Sequence, residues 1–243
     1  MAEDVPRYRR ILLKLSGEAL MGRASYGIDP EVLQDLVEEF RTLYDLGVET
    51  GVVIGGGNIF RGVQGVAQGF DRARADYMGM LATVLNALAL EDSLKMAGLP
   101  VRSVSALPVQ GVIEPYVRDR VLEYLAEKKI VIFAAGTGNP FFTTDTAATL
   151  RALEIGAEIL FKATKVDGVY SADPMKDPSA RKFDYLTYDE VLEKGLRVMD
   201  LTAISLAKDH NLPILVFNMQ KPGNILRAVS GQKVGTLVGG EGR

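Results

Sequence analysis

The feature that most constrains this 243-residue chain is a set of short apolar runs that do not alternate with polar residues. ILLKL (11–15), VVIG (52–55), IVIFAAG (130–136), AEILFKAT (157–164) and LPILVFN (212–218) are the clearest. VRSVSAL (101–107) and TLVGG (236–240) accompany them. A strand with one wet face alternates, whereas a strand covered on both faces need not, so these runs suit a mostly parallel sheet. Helical spacing fills the gaps. Asp29 and Pro30 read as an N-cap and first helical residue. Val32, Leu33, Leu36, Val37, Phe40, Leu43 and Tyr44 recur at helical period after them, and Gly47 is placed to end the helix. Further helices are expected over 77–97, 116–128, 145–155, 188–194, 202–211 and 223–230. Strand and helix alternate, so the class is α/β. With no internal repeat or linker, one domain over 1–243 is expected, with 1–7 as a flexible tail.

Composition enters by exclusion. The net charge is −3 with acids and bases interspersed, and no basic block points to nucleic acid. The chain has no Cys, which removes disulfides and thiolate metal sites and suits a reducing cytoplasm. The N-terminus MAEDVPRYRR is charged and the apolar run after it is short, so neither a signal peptide nor a membrane span is expected.

Ligands of open α/β sheets bind beyond the carboxyl ends of the strands. The second run leads into GGGNIFRG, with Gly55, Gly56 and Gly57 in succession. Glycine at such a place permits close approach of the backbone to a ligand and positive φ, and successive N–H groups form an anion nest; a plain glycine turn is the alternative. No G-x-x-x-x-G-K-[ST], no G-x-G-x-x-G and no protein-kinase motif set is present. Recurrence strengthens the reading. The first strand ends in Lys14, Leu15, Ser16 and Gly17, the fourth in AGTGNPFFTTD (135–145), and the fifth in KATKVDGVYSADP (162–174). Four strand ends carrying Gly, Thr, Lys or Asp suggest one large site for a ligand with several phosphates. Lys14 lies in an apolar strand and needs a partner, because a buried unpaired ammonium is costly. It is either half of a structural salt bridge or a cation aimed at a phosphoryl group in transfer. Lys162 has the same character. Asp145 reads as a helix N-cap, as an organiser of both ammonium groups, or as both. His210, in KDHNLP near a helix end, reads as a surface or C-capping residue.

These segments, with DYMGMLATVLNALAL and VMDLTA, resemble the bacterial uridylate (UMP) kinases of the amino acid kinase family over about residues 8–239. The resemblance implies a three-layer αβα sandwich and the reaction ATP + UMP giving ADP + UDP in pyrimidine nucleotide biosynthesis. It also implies Mg²⁺ held mainly through the ATP phosphates without a dedicated protein metal site, a homohexamer, GTP activation and UTP inhibition. Carried over by residue, Lys14, Ser16 and Gly17 approach the ATP phosphates, with Lys14 at the γ-phosphoryl, and Leu15, Gly57 and Arg61 also serve the ATP side. Thr164, Tyr170 and Asp173 contact the adenine nucleoside. Gly56 approaches the UMP phosphate and Asp76 the ribose. The segment Thr137, Gly138, Asn139, Pro140, Phe141, Phe142, Thr143 and Thr144 holds UMP, with Thr144 near its phosphate. Lys14, Lys162 and Asp145 form the catalytic group. The loop Gly22, Arg23, Ala24, Ser25, Tyr26 and Gly27 is implied for GTP, with Arg102, Arg118 and Arg120 as other candidates for an effector. A phosphate monoester is itself a nucleophile near neutral pH, so no general base is needed. A carboxylate or carbamate kinase of the same fold and a non-catalytic nucleotide-responsive regulator are the rival readings. FFTTD with Asp76 favours a nucleotide acceptor over the first, and the presence of both lysines favours an enzyme over the second.

Overall fold

The computed structural model describes residues 5–240 apart from Met175, Pro178 and Arg197. Among the described residues the strands are β1 (Arg10–Leu15), β2 (Glu49–Ile54), β3 (Val101–Ser105), β4 (Glu114–Pro115), β5 (Ile130–Ala134), β6 (Ile159–Thr164), β7 (Tyr185–Thr187), β8 (Ile214–Asn218) and β9 (Gly235–Gly239). They form one sheet in the order β4-β3-β5-β2-β1-β6-β8-β9-β7, parallel except where β8 meets β9. The helices are α1 (Pro30–Asp45), α2 (Gly62–Ala67), α3 (Arg72–Met96), α4 (Arg118–Ala126), α5 (Thr144–Ile155), α6 (Tyr188–Glu193), α7 (Leu201–Asp209) and α8 (Asn224–Val229), with a 3-10 turn at Gly17–Met21.

Two apolar cores explain the non-alternating runs. Ile11, Leu13 and Leu15 of β1 pack with Phe40 of α1, Leu90 of α3 and Ile225 of α8. Leu12 packs on the other side with Val121 of α4, Ala152 of α5 and Ala203 of α7. Each central strand is covered on both faces, which is the expected three-layer αβα arrangement. Several expected boundaries move. The second long helix begins at Arg72, not at residue 77, because the Asp71 side chain accepts from the Arg74 N–H and caps it. Two short strands, β4 and β7, and helix α2 were not anticipated; each is too short to carry a periodic signal. His210 is the C-cap of α7. Residues 1–4 of the expected tail lie outside the described residues, and Arg7 is tied to the fold by its N–H, 2.9 Å from Val229 O.

Candidate active site

β5, β2, β1 and β6 are consecutive in the sheet and mutually parallel, so their carboxyl ends open on one edge. Lys14 of β1 lies in register with Lys162 of β6. By the two-residue period of a strand, both side chains leave the sheet on the face that Leu12 and Leu160 share with α5. Two ammonium groups side by side and mostly buried need an anion between them. Asp145, one residue into α5, provides it: Oδ1 is 2.9 Å from Lys14 Nζ and Oδ2 is 2.8 Å from Lys162 Nζ. Lys162 also donates to Val198 O at 2.6 Å. Burial opposes the Asp145 carboxylate, but the charges of Lys14 and Lys162 more than offset it and hold its pKa below the ordinary value. For Lys162 burial prevails: it pushes the ammonium down, Asp145 works against that, Lys14 reinforces it, and the net shift is downward.

Asp145 is not the cap of its helix. Thr143 is, its Oγ1 accepting from the N–H groups of Asp145 and Thr146. Thr143 in turn donates its hydroxyl to Asp200. Asp200 also accepts from Thr146 Oγ1 at 3.0 Å and from the Ala203 N–H at 3.0 Å, so one carboxylate caps α7 and ties it to the start of α5. The sequence offered a signal for this in VMDLTA, an Asp before an apolar helical run.

The glycine turn is explained by crowding, and the expectation of positive φ there is corrected: Gly55, Gly56 and Gly57 all lack it. A Cβ on Gly55 would stand 2.9 Å from Gly17 N, and one on Gly56 would stand 2.7 Å from Gly79 O and 2.8 Å from Ala82 Cβ. These two glycines let the β2 end nest between the 3-10 turn and α3. At Gly57 the contacts would be ordinary, 3.7 Å from Arg61 Cγ and Nε. Positive φ falls instead across the β5 turn, at Ala135, Gly136, Gly138 and Phe141. The unusual Ala135 conformation is held by its N–H, 2.7 Å from Thr83 Oγ1 of α3.

Between these turns lies a cavity of about 210 Å³ whose lining includes Gly56, Asp76, Thr137, Phe142, Thr143 and Thr144. Gly57 and Arg61, expected on the ATP side, line this cavity as well. Gly138, Asn139, Pro140 and Phe141 do not; they form the outer part of the loop, where Phe141 is 68% exposed. The loop is fastened to α3 by Asp76, whose Oδ2 accepts from the Phe141 N–H at 2.8 Å and from Arg72 Nε at 2.9 Å.

On the other side of Lys14, Ser16 precedes the 3-10 turn with its hydroxyl unused as a cap, and Gly17 is buried against Gly55. Leu15 is fully buried and offers only its backbone, its carbonyl accepting from Gly55 N. Arg61 pairs with Glu18 at 2.5 Å. Thr164 Oγ1 donates to Val166 O and Phe217 O around the β6 end. Tyr170 and Asp173 line a separate cavity of about 510 Å³ together with Lys194 and Leu196. The loop 22–27 is exposed at its tip and anchored at Gly27, whose N–H donates to Asn58 O and whose carbonyl accepts from Asn58 Nδ2. Arg118 and Arg120 lie apart from the site, bonded to Glu154 O and to Glu123 and Tyr124.

A parallel sheet with cations, crowded turns and a cavity at one carboxyl edge defines a ligand-binding α/β protein equipped for anionic substrates. The chain belongs to the amino acid kinase family, whose model matches residues 9–218. Among curated proteins it is 58% identical over 241 residues to a uridylate kinase of Legionella pneumophila (strain Lens), with 98% of each chain covered. Among solved structures it is similar to the UMP kinase of Bacillus anthracis, with a TM-score of 0.94 and 40% identity, covering 97% of each chain. It is also similar to the uridylate kinase of Archaeoglobus fulgidus, at TM-score 0.72 and 30% identity, covering 94% of this chain and 99% of that one.

Proposed function

We propose that this chain transfers the γ-phosphoryl group of ATP to UMP, giving ADP and UDP, as a single domain. The observation that carries the reading is the Lys14–Asp145–Lys162 group at the same carboxyl edge of the sheet as the glycine turn after β2 and the Asp76 cavity. Full-length similarity to uridylate kinases supports the choice of acceptor. UMP occupies the Asp76 cavity, with its phosphate toward Gly56 and Thr144; ATP lies over Lys14, Ser16 and Gly17, with its nucleoside toward Thr164, Tyr170 and Asp173. Phosphoryl transfer needs alignment of two anions and stabilisation of spread charge rather than covalent help. Lys14 and Lys162 supply fixed positive charge, and Asp145 keeps both in place.

Mg²⁺ accompanies ATP in such reactions. Among the described residues no group of three or more acidic or His side chains is placed to hold a metal ion. Asp145 has an ammonium group facing each oxygen, which does not suit a cation ligand. In this reading the ion is held by the nucleotide phosphates, and no step is assigned to it. GTP activation through loop 22–27, UTP inhibition, a cytoplasmic location and a homohexamer complete the proposal. Among the described residues no helix is long and apolar enough to cross a membrane. Tyr77, Met78, Leu81 and Leu85 expose an apolar stripe on α3 that another subunit would cover, while Met80 and Val84 of the same run are core.

The test is ADP release from ATP and Mg²⁺ with UMP, CMP, AMP, GMP, aspartate and carbamate in parallel, with and without GTP. Turnover with UMP is expected. Turnover with another acceptor alone refutes the acceptor assignment, and silence with all refutes the enzymatic reading.

A further inference from the structure

Two asparagines behind the glycine turn have no role in the site described above beyond the hold of Asn58 on Gly27. Asn58 is 2% exposed and Asn86 is fully buried. They face each other as a reciprocal amide pair: Asn58 Nδ2 donates to Asn86 Oδ1 at 2.9 Å, and Asn86 Nδ2 donates to Asn58 Oδ1 at 2.7 Å. Each amide uses a further bond to grip backbone. Asn86 Nδ2 holds Gly55 O at 2.7 Å, and Asn58 Nδ2 holds Gly27 O at 2.9 Å, while Asn58 O receives the Gly27 N–H at 3.0 Å. The pair also abuts the donor side. A Cβ on Gly17 would fall 2.7 Å from Asn58 Oδ1 and 2.5 Å from Gly55 O.

Asn86 continues a stripe along α3. Asp76 holds the Phe141 N–H, Gly79 and Thr83 receive Gly56, Thr83 holds the Ala135 N–H, and Asn86 holds Gly55. These positions recur three or four residues apart, so one helix face sets the relative positions of two turns, the glycine turn and the β5 turn. Buried amides are costly to leave unpaired, and a fully satisfied buried network fixes one geometry.

We propose that Asn58 and Asn86 are positioning residues for phosphoryl transfer: as one unit they fix the glycine turn against Gly17 and lock loop 22–27 to that turn through Gly27. A ligand or disturbance at the loop thereby reaches the turn through Asn58, and loss of the pair loosens both together. The kinetic part rests on the proposed kinase reading; the mechanical part does not.

The experiment uses Asn86→Leu, Asn86→Ser, Asn58→Leu and the double leucine variant of the full chain. Activity is counted per UMP-binding site measured at equilibrium, so unfolded protein does not enter. A displacement of about 1 Å can cost on the order of 10²-fold in rate, and a loss in kcat of about that size is expected, with the KM for UMP within about twofold. The double variant should be no slower than the slower single one, because residues that act as a unit are not additive. A second readout needs no substrate: native-state hydrogen exchange should speed up at the amide of Gly27, which donates to Asn58 O, in Asn86→Leu, although Asn86 does not touch it. Normal kcat per site, multiplicative losses in the double variant, or unchanged exchange at Gly27 each overturn the proposal. Wild-type silence with UMP refutes the kinase reading instead, and leaves the exchange measurement to decide the coupling.

Discussion

Replacing Asp145 by Asn keeps the shape and removes the charge between two lysines. At an effective dielectric near 20, opposite charges about 4 Å apart attract by about 4 kcal/mol, so the two contacts at 2.9 and 2.8 Å are worth roughly twice that before desolvation. The two ammonium groups sit on neighbouring strands about 5 Å apart and repel by about 3 kcal/mol. With the carboxylate gone, the repulsion and the burial are opposed only by neutral acceptors such as Val198 O. Breaking a buried pair costs about 3–5 kcal/mol in general, and that is the expected loss for Asp145→Asn near neutral pH. The lysine that bears the strain relieves it by giving up its proton, so the loss should shrink as pH rises. The wild-type signs are definite. Asp145 is depressed, so its stabilisation is complete above the ordinary carboxylate value of 3.8 and fades as pH falls through its lower native value. Lys162 is also depressed, so the unfolded chain holds that proton longer, and stability rises with pH between the native value and 10.5. Urea unfolding from about pH 6 to pH 10, with kcat followed in parallel, reads the lysine limb; the Asp145 limb lies below 3.8 and needs a separate acid series. Asp145→Asn should lose kcat at every pH and carry a steeper rise of stability with pH than the wild type. A loss under about 1 kcal/mol, the size of an exposed pair, with an unchanged pH slope would refute the claim that this carboxylate organises the cations.

Three other outcomes are expected. Lys14→Ala should lower kcat strongly and leave the equilibrium affinity for UMP nearly intact, as calorimetry would show; lost UMP binding with normal turnover at saturation contradicts the role. Asp76→Asn should chiefly weaken UMP binding, and it should speed exchange of the Phe141 amide, which now donates to this carboxylate at 2.8 Å; unchanged UMP affinity removes Asp76 from the acceptor site. Gly56→Ala should destabilise by about 1–3 kcal/mol, because its Cβ meets Gly79 O at 2.7 Å, whereas Gly57→Ala, with contacts at 3.7 Å, should unfold at nearly the wild-type urea concentration. Equal midpoints for the two variants would show that crowding does not explain the turn.

Lys14 and Lys162 were legible in the sequence because a charged residue inside an unbroken apolar strand has to meet an anion. That their anion is Asp145 followed from the resemblance more than from spacing, since no local pattern brings residue 145 to residues 14 and 162. The four strand ends were legible as one edge because parallel strands must share it. What escaped is what crosses between elements. Thr83 and Asn86 are single polar residues inside an apolar helical run, and only the folded chain shows that they face Ala135 and Gly55. The sequence does not say what Asp200 pairs with, because its bonds to Thr143 and Thr146 join segments more than fifty positions apart. The three glycines looked like one device and carry two: crowding by protein requires Gly55 and Gly56, while Gly56 and Gly57 line the cavity.

That division bears on how the site holds charge. In the protein alone both lysines spend their charge on Asp145, which lies in the first turn of α5, where the helix dipole also favours a carboxylate. When phosphates enter, the proposed mechanism has the ammonium groups turn part of their hydrogen-bonding capacity toward the phosphoryl oxygens. Asp145 remains ionised during that change because the helix terminus supports it and Thr143, Asp200 and α7 hold the terminus still. A compact ammonium with rotatable donors can serve two partners in this way, whereas a planar guanidinium commits its donors in one fixed plane. Lysine, rather than the arginine more usual for buried ion pairs, is therefore the residue type this geometry requires at both positions.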